Sequence, residues 1–269
     1  MSMTGHITPS VPPFDMDQRK RKTINLMGIG IDVLDTEGLR RKVVDFAGRQ
    51  EAHTVMYVNA DCMLIAQKNK PYQQVLNRCD LVYADGIGVV LGARLWGNRL
   101  PGRSTAADFF PDFCKTFADL GFRLYFLGGK PGVAQAAAER LVANIPGLMI
   151  VGTQHGYFKE SETARIINEI NGTGADIVII GLGAPKQELW IRDHAEGLGA
   201  SVLWGVGGLF DFLSGQTPRG PRWLLDCGFE WLCRLMAEPG RLWRRYLMGN
   251  TKFVVLLLWH RYIVRKAEK

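Results

Sequence analysis

Between Ala175 and Asp211 the chain writes one pattern twice: a short β-branched apolar run, a glycine turn, and the opening of a helix. Ile177–Ile180 is continuously apolar and too short for a helix, the signature of a strand buried on both faces. Gly181-Leu182-Gly183 ends it, and Ala184-Pro185-Lys186-Gln187-Glu188 starts a helix, with Pro185 suited to the first turn. A second run, Val202–Trp204, is cut by Gly205-Val206-Gly207-Gly208. Strands of this kind need helices above and below them. The free N–H groups at such helix starts attract anions such as phosphate. Lys186 and Gln187 stand at the carboxyl end of the first strand, where open α/β sheets bind ligands. The plainer reading of either turn is a tight strand–helix corner.

The same grammar extends to both sides. Order is expected to begin with Ile24–Ile31, followed by a helix over Glu37–Arg49 and a strand at Val55–Val58. Asn59-Ala60-Asp61 caps a helix reaching Asn69. Leu81–Tyr83 is a short strand leading into Ala84-Asp85-Gly86-Ile87-Gly88, and helices follow over Ile87–Trp96 and Ala107–Leu120. Arg123–Leu127 reads as a strand, Pro131–Asn144 as a helix, Leu148–Val151 as a strand and Ser161–Asn171 as a helix. Strands alternating with helices predict an α/β fold: a Rossmann-like, mostly parallel sheet with helices on both faces.

Beyond Gly215 the strand signals stop and the charge changes. Eleven Lys and Arg residues against four Asp and Glu account there for the whole net charge of +7. Trp223, Phe229, Trp231, Trp243, Tyr246, Phe253, Trp259 and Tyr262 are interleaved with Arg219, Arg222, Arg234, Arg241, Arg244 and Arg245 on two or three helices. Val254–Leu258 is solidly apolar but far short of the roughly 18–20 residues of a membrane span. Such a basic, aromatic appendage reads first as an interfacial anchor for an anionic membrane surface. A helical cap or oligomer contact is the alternative, and nucleic-acid binding ranks last. The expected organisation is a disordered leader over 1–22, a catalytic domain over 23–215 and this appendage over 216–269. Arg19-Lys20-Arg21-Lys22 is followed by no apolar stretch of a secretory signal. Five cysteines without CxxC spacing argue for a reducing compartment, and against both a disulfide framework and a zinc site.

Polar groups collect at the strand ends: Asn59 and Asp61, Asp85, then Lys186, Gln187 and Glu188, and Asp211. In a parallel sheet these ends share one edge and line one cleft. Asp85 is the candidate general base, although on spacing alone a helix N-cap is its plainer role. Asp15-Met16-Asp17 spells the D-x-D of metal-using sugar transferases, but in the leader. A nicotinamide fingerprint fails, since Gly28-Ile29-Gly30 has Val33 and Gly181-Leu182-Gly183 has Lys186 where the third glycine belongs.

Taken in order, several blocks carry a family resemblance: Tyr57-Val58-Asn59, Ala84–Gly88, Arg103-Ser104-Thr105-Ala106-Ala107-Asp108, Gly181–Glu188, Gly205–Asp211, Pro218–Trp223, Glu230–Leu235 and Glu238-Pro239. From about Ile24 to Tyr246 the chain resembles the WecG/TagA/CpsF glycosyltransferases. The resemblance implies inverting, metal-independent transfer of a sugar from a UDP-sugar donor to a polyprenyl-diphosphate-linked saccharide, peripherally at the cytoplasmic membrane face. It implies no cofactor, no metal and no nucleic acid, and leaves a homo-oligomer open. It further implies Asp85 as catalytic base and Asn59 as a contact placing the substrate. Arg103 and Gln187 are implied at the donor diphosphate or sugar, among a substrate-binding set that also holds Tyr57, Asp108, Lys186, Gly207 and Asp211. The tail arginines would complete the site or meet the membrane. Two positions depart from the family pattern: Tyr57, often Thr, and Ala106, often Gly. The first bears on sugar specificity. N-acetylmannosamine, its uronic acid and glucose are all used among similar proteins. The non-catalytic alternative is a membrane-recruited module that holds a nucleotide-sugar without turnover.

Overall fold

The computed structural model describes residues 21–217, 219–221, 223–224, 230–237, 239–243 and 247–267. Six strands form one parallel sheet: β3 (His53–Val58), β4 (Leu81–Ala84), β5 (Arg123–Gly128), β6 (Met149–Gln154), β7 (Ile177–Gly181) and β8 (Val202–Gly205), ordered β4-β3-β8-β7-β5-β6. Every pairing in it is parallel. The chain winds outward from β3 to β4 on one side and from β5 to β6 on the other, with β7 and β8 filling the middle. Leu124–Leu127, Ile177–Ile180 and Val202–Trp204 are fully buried, as expected of strands covered on both faces.

The covering helices are α1 (Thr36–Ala47), α2 (Ala60–Lys68), α3 (Lys70–Arg78), α4 (Ile87–Leu95), α5 (Ala106–Asp119), α6 (Val133–Asn144), α7 (Thr163–Thr173), α8 (Lys186–His194) and the short α9 (Leu209–Leu213). Trp204 is the hub of one face. Phe109, Phe110 and Phe113 of α5 surround it together with Tyr83, whose hydroxyl accepts the indole N–H at 3.4 Å.

Two elements differ from expectation. The opening run is no strand of the main sheet but an antiparallel hairpin, β1 (Thr23–Leu26) and β2 (Ile29–Asp32). Met27 and Gly28 both take positive φ, 53° and 84°, the two-residue turn that suits strand twist. Asn77 of α3 clasps the turn, accepting the Gly30 N–H at 2.9 Å and donating to the Gly28 carbonyl at 2.8 Å. The second difference is α3 itself, absent from the sequence reading. Asn69 ends α2 and caps α3, accepting the Tyr72 N–H at 3.0 Å, so one residue serves two helices.

Past α9 lie α10 (Glu230–Ala237), α11 (Pro239–Trp243) and α12 (Gly249–Ala267). Pro239 and Gly249-Asn250, expected as breaks, open the last two. α12 packs back onto α2 and α4: Phe253 and Leu257 are buried against Gly88 and Gly92. Residues 1–20, with the D-x-D and most of the expected leader, lie outside the described residues, as do Arg222, Arg244 and Arg245. Among the described residues no helix is long and apolar enough to cross a membrane.

Candidate active site

All six parallel strands send their carboxyl ends to one cleft of about 870 Å³. Asn59 follows β3, Asp85 follows β4, Lys130 lies beyond β5, Tyr157–Lys159 beyond β6, Lys186 beyond β7, and Gly207 and Asp211 beyond β8. Tyr57 of β3 also lines it. The edge location is what open α/β sheets dictate.

Asp85 is half-buried, and its N–H is held by the Val58 carbonyl at 2.9 Å, which ties the end of β4 to that of β3. It does not occupy the N-cap of α4. That position belongs to Gly86, at φ 86° and without a side-chain cap. Asp85 stands one residue before that position and lines the cleft. Asn59 does serve as an N-cap, its Oδ1 accepting the N–H groups of Asp61 and Cys62, each at 3.1 Å. Its amide nitrogen is the end remaining for the cleft.

Arg103 and Gln187, both expected at the donor, lie apart from the cleft-lining strand ends. Arg103 does not line the cleft; it donates to Thr105 Oγ1 at 3.0 Å and lies 3.6 Å from Asp108. Asp108 is also bound by Arg219, which donates to the Ala107 carbonyl at 2.9 Å as well. Asp108 is thus the link between the Arg103 loop and the start of the tail, and not a cleft-lining group. Gln187 is fully buried behind the Gly207 turn, its side chain spent on internal hydrogen bonds. Helical spacing alone does not reveal that Lys186 points outward and Gln187 inward.

Among the described residues three lysines line the cleft. Lys186 opens α8, donates to the Gly156 carbonyl at 3.3 Å and stands 5.3 Å above the Phe158 ring. Lys130 and Lys159 join it, as does Tyr157, which is 69% exposed. These last residues escaped the sequence reading. Gly128-Gly129-Lys130 follows a strand in the same strand–glycine grammar and was open to detection; the β6–α7 loop carries no such sign. Arg234 and Arg241 lie on α10 and α11. Among the described residues no group of three or more His, Cys, Asp and Glu side chains could hold a metal ion.

The family model for the glycosyl transferase WecG/TagA/CpsF family matches residues 24–267, nearly the whole chain. The chain belongs to the WecG/TagA/CpsF glycosyltransferase family. Membership makes it a glycosyltransferase of cell-envelope polymer synthesis, a class that pairs a nucleotide-sugar donor with a lipid-linked acceptor. In this WecG/TagA/CpsF protein the strand-edge cleft carries a carboxylate at one strand end and lysines at others.

Proposed function

We propose that this protein transfers a sugar, with inversion, from a UDP-sugar to a hydroxyl of a polyprenyl-diphosphate-linked saccharide, at the inner face of the cytoplasmic membrane. The observation that carries the reading is a carboxylate outside its helix cap, Asp85, on the same cleft as Lys130, Lys159 and Lys186. Asp85 takes the proton of the acceptor hydroxyl as that oxygen bonds to the anomeric carbon. The bond from that carbon to the diphosphate oxygen breaks in the same displacement, and UDP leaves. One carboxylate suffices for a single inverting step.

The negative charge that builds on the leaving diphosphate needs cations or aimed N–H groups. The lysines supply the first, and the positive dipole end at the start of α8, beside Lys186, adds to them. The transfer is therefore read as metal-independent, with the UDP-sugar as substrate and no cofactor. Tyr157 and Phe158 offer aromatic surface for the base. Tyr57, packed against Gly207, narrows the cleft where the family often has a smaller residue, a place to select among sugars.

Residues 216–269 are read as the anchor. While Phe253 and Leu257 face the core, Val254, Val255, Leu258, Trp259 and Tyr262 are exposed, as are Leu91 and Leu95 of α4. Apolar and aromatic side chains in a basic region suit a headgroup layer. Mass spectrometry of lipid-linked products formed from a panel of UDP-sugars tests the reading. Extension of the acceptor by one sugar of inverted configuration is expected; no product from any UDP-sugar, with the protein folded, would refute it.

A further inference from the structure

Beneath the cleft a buried carboxyl group is connected to its wall through one amide. Gln187 and Glu188 are both fully buried at the start of α8. Gln187 Oε1 accepts the Gly207 N–H at 2.9 Å, and its Nε2 donates to Glu188 Oε1 at 2.7 Å. A carboxamide has one accepting and one donating end. The Gly207 N–H requires the accepting end, so the donating end must meet an acceptor, and Glu188 supplies it. The Gly207 N–H and Glu188 together fix which way the amide points.

The turn leaves little slack. Gly207 lines the cleft at φ 59°, and a Cβ there would overlap the Tyr57 hydroxyl. A Cβ on Gly205 would meet Met56 Sδ at 2.8 Å and Gln187 Nε2 at 3.1 Å. The Gln187 amide fills the space behind the turn. Nothing in proton transfer at Asp85 calls for a second carboxyl group here.

We propose that Glu188 is a positioning residue for sugar transfer, acting through Gln187 to fix the Gly205–Gly208 turn and so the donor-binding wall that Gly207 forms beside Tyr57. The inference rests on the transferase reading above. The carboxyl group performs this role in its protonated form. Its Oε2 is buried without a hydrogen-bond partner, and burial pushes the group up to about 7. The titratable groups around it are Cys62 of α2, Tyr72 and Cys79 of α3 and, beyond them, Tyr57. Burial pushes both thiols up to about 12 and Tyr72 higher, so none of these three competes with Glu188 near neutrality. Ionisation places behind the turn a charge whose Oε2 has no partner, offset only by the Gln187 amide and its own backbone N–H, and loosens the turn.

The test is UDP affinity by calorimetry and donor KM and kcat for the full chain and for Glu188→Gln and Glu188→Leu, at about pH 6 and about pH 8.5. Glu188→Gln keeps an acceptor for Gln187 and mimics the protonated acid, so its Kd is expected to lie within about threefold of wild type at about pH 6 and to carry only the pH dependence of UDP and the rest of the cleft. Glu188→Leu removes the acceptor; Kd and KM are expected to rise about tenfold with kcat little changed, the scale of one lost hydrogen bond. Wild-type affinity is expected to weaken several-fold at the higher pH relative to Glu188→Gln. A folded Glu188→Leu with wild-type Kd and KM would overturn the inference. Should that variant not fold, parallel pH dependences of wild type and Glu188→Gln would overturn it instead. Wild type that neither binds UDP at either pH nor transfers sugar would refute the transferase reading itself.

Discussion

Two carboxyl groups serve the cleft from opposite surroundings. Asp85 stands half-buried on its surface at the end of β4, while Glu188 lies fully buried beneath it. On the proposed reading, replacing the first by its amide removes the proton acceptor and little else. Asp85→Asn is expected to lower kcat by about 10²-fold or more, with UDP affinity unchanged; turnover within about threefold of wild type would show that another group takes the proton. Glu188 leaves a thermodynamic signature. Its value rises from 4.5 to about 7 on folding, so the native protein holds this proton more tightly than the unfolded chain does. The contribution is fully present below about pH 4.5, declines as pH rises, and is lost above about pH 7, a swing of about 3 kcal/mol. Urea unfolding of Glu188→Gln across that window is expected to lack this slope; equal slopes in both proteins would contradict the buried acid. Asp85 was legible because a strand end followed by Gly-x-Gly announces a turn. The inward side chain of Gln187 was not, since one step around a helix exchanges cleft for core and only packing decides which.

Helices and strands were read best where one apolar period ran without interruption. Ile177–Ile180 and Val202–Trp204 announce central strands, and strand–glycine–helix order announces a parallel sheet. The hairpin at Met27-Gly28 was missed because its two halves, separated by only two residues, look like one strand. The helix over Lys70–Arg78 was missed because Asn69 both ends one helix and starts the next. At the other end of the chain, composition marked the tail as helical but could not show that α12 returns to the core. Its dock is small-residue packing: Gly92 lets Leu257 approach, and a Cβ there would stand 3.3 Å from the Leu257 methyl. Leu257→Ala is expected to weaken this dock by about 2–5 kcal/mol, the cost of truncating a buried leucine. Limited proteolysis should then cut within 247–267 far faster than in wild type, and unchanged resistance would mean that other contacts hold the helix.

Over the whole molecule the charge and the chemistry are separated. Residues up to Gly215 are close to neutral and carry the cleft-lining strand ends, whereas the +7 lies in the tail. The proposed peripheral anchor is expected to bind anionic vesicles, to bind neutral ones poorly and to be weakened by salt, because exposed charges are screened within about 8 Å at physiological ionic strength. At about 1 kcal/mol for each basic residue near the surface, neutralising Arg241, Arg244 and Arg245 together should reduce vesicle binding about 10²-fold. Sedimentation with vesicles measures it, and binding indifferent to both salt and the triple substitution would remove the electrostatic anchor. Donor cleft and membrane surface meet in one observable, UDP release by the full chain in excess EDTA, with and without vesicles carrying a polyprenyl-diphosphate-linked saccharide. Metal-independent transfer requires release that depends on the acceptor vesicles, one UDP for each saccharide extended. Release at the same rate without acceptor, or release abolished by EDTA and restored by Mg²⁺ or Mn²⁺, would contradict it.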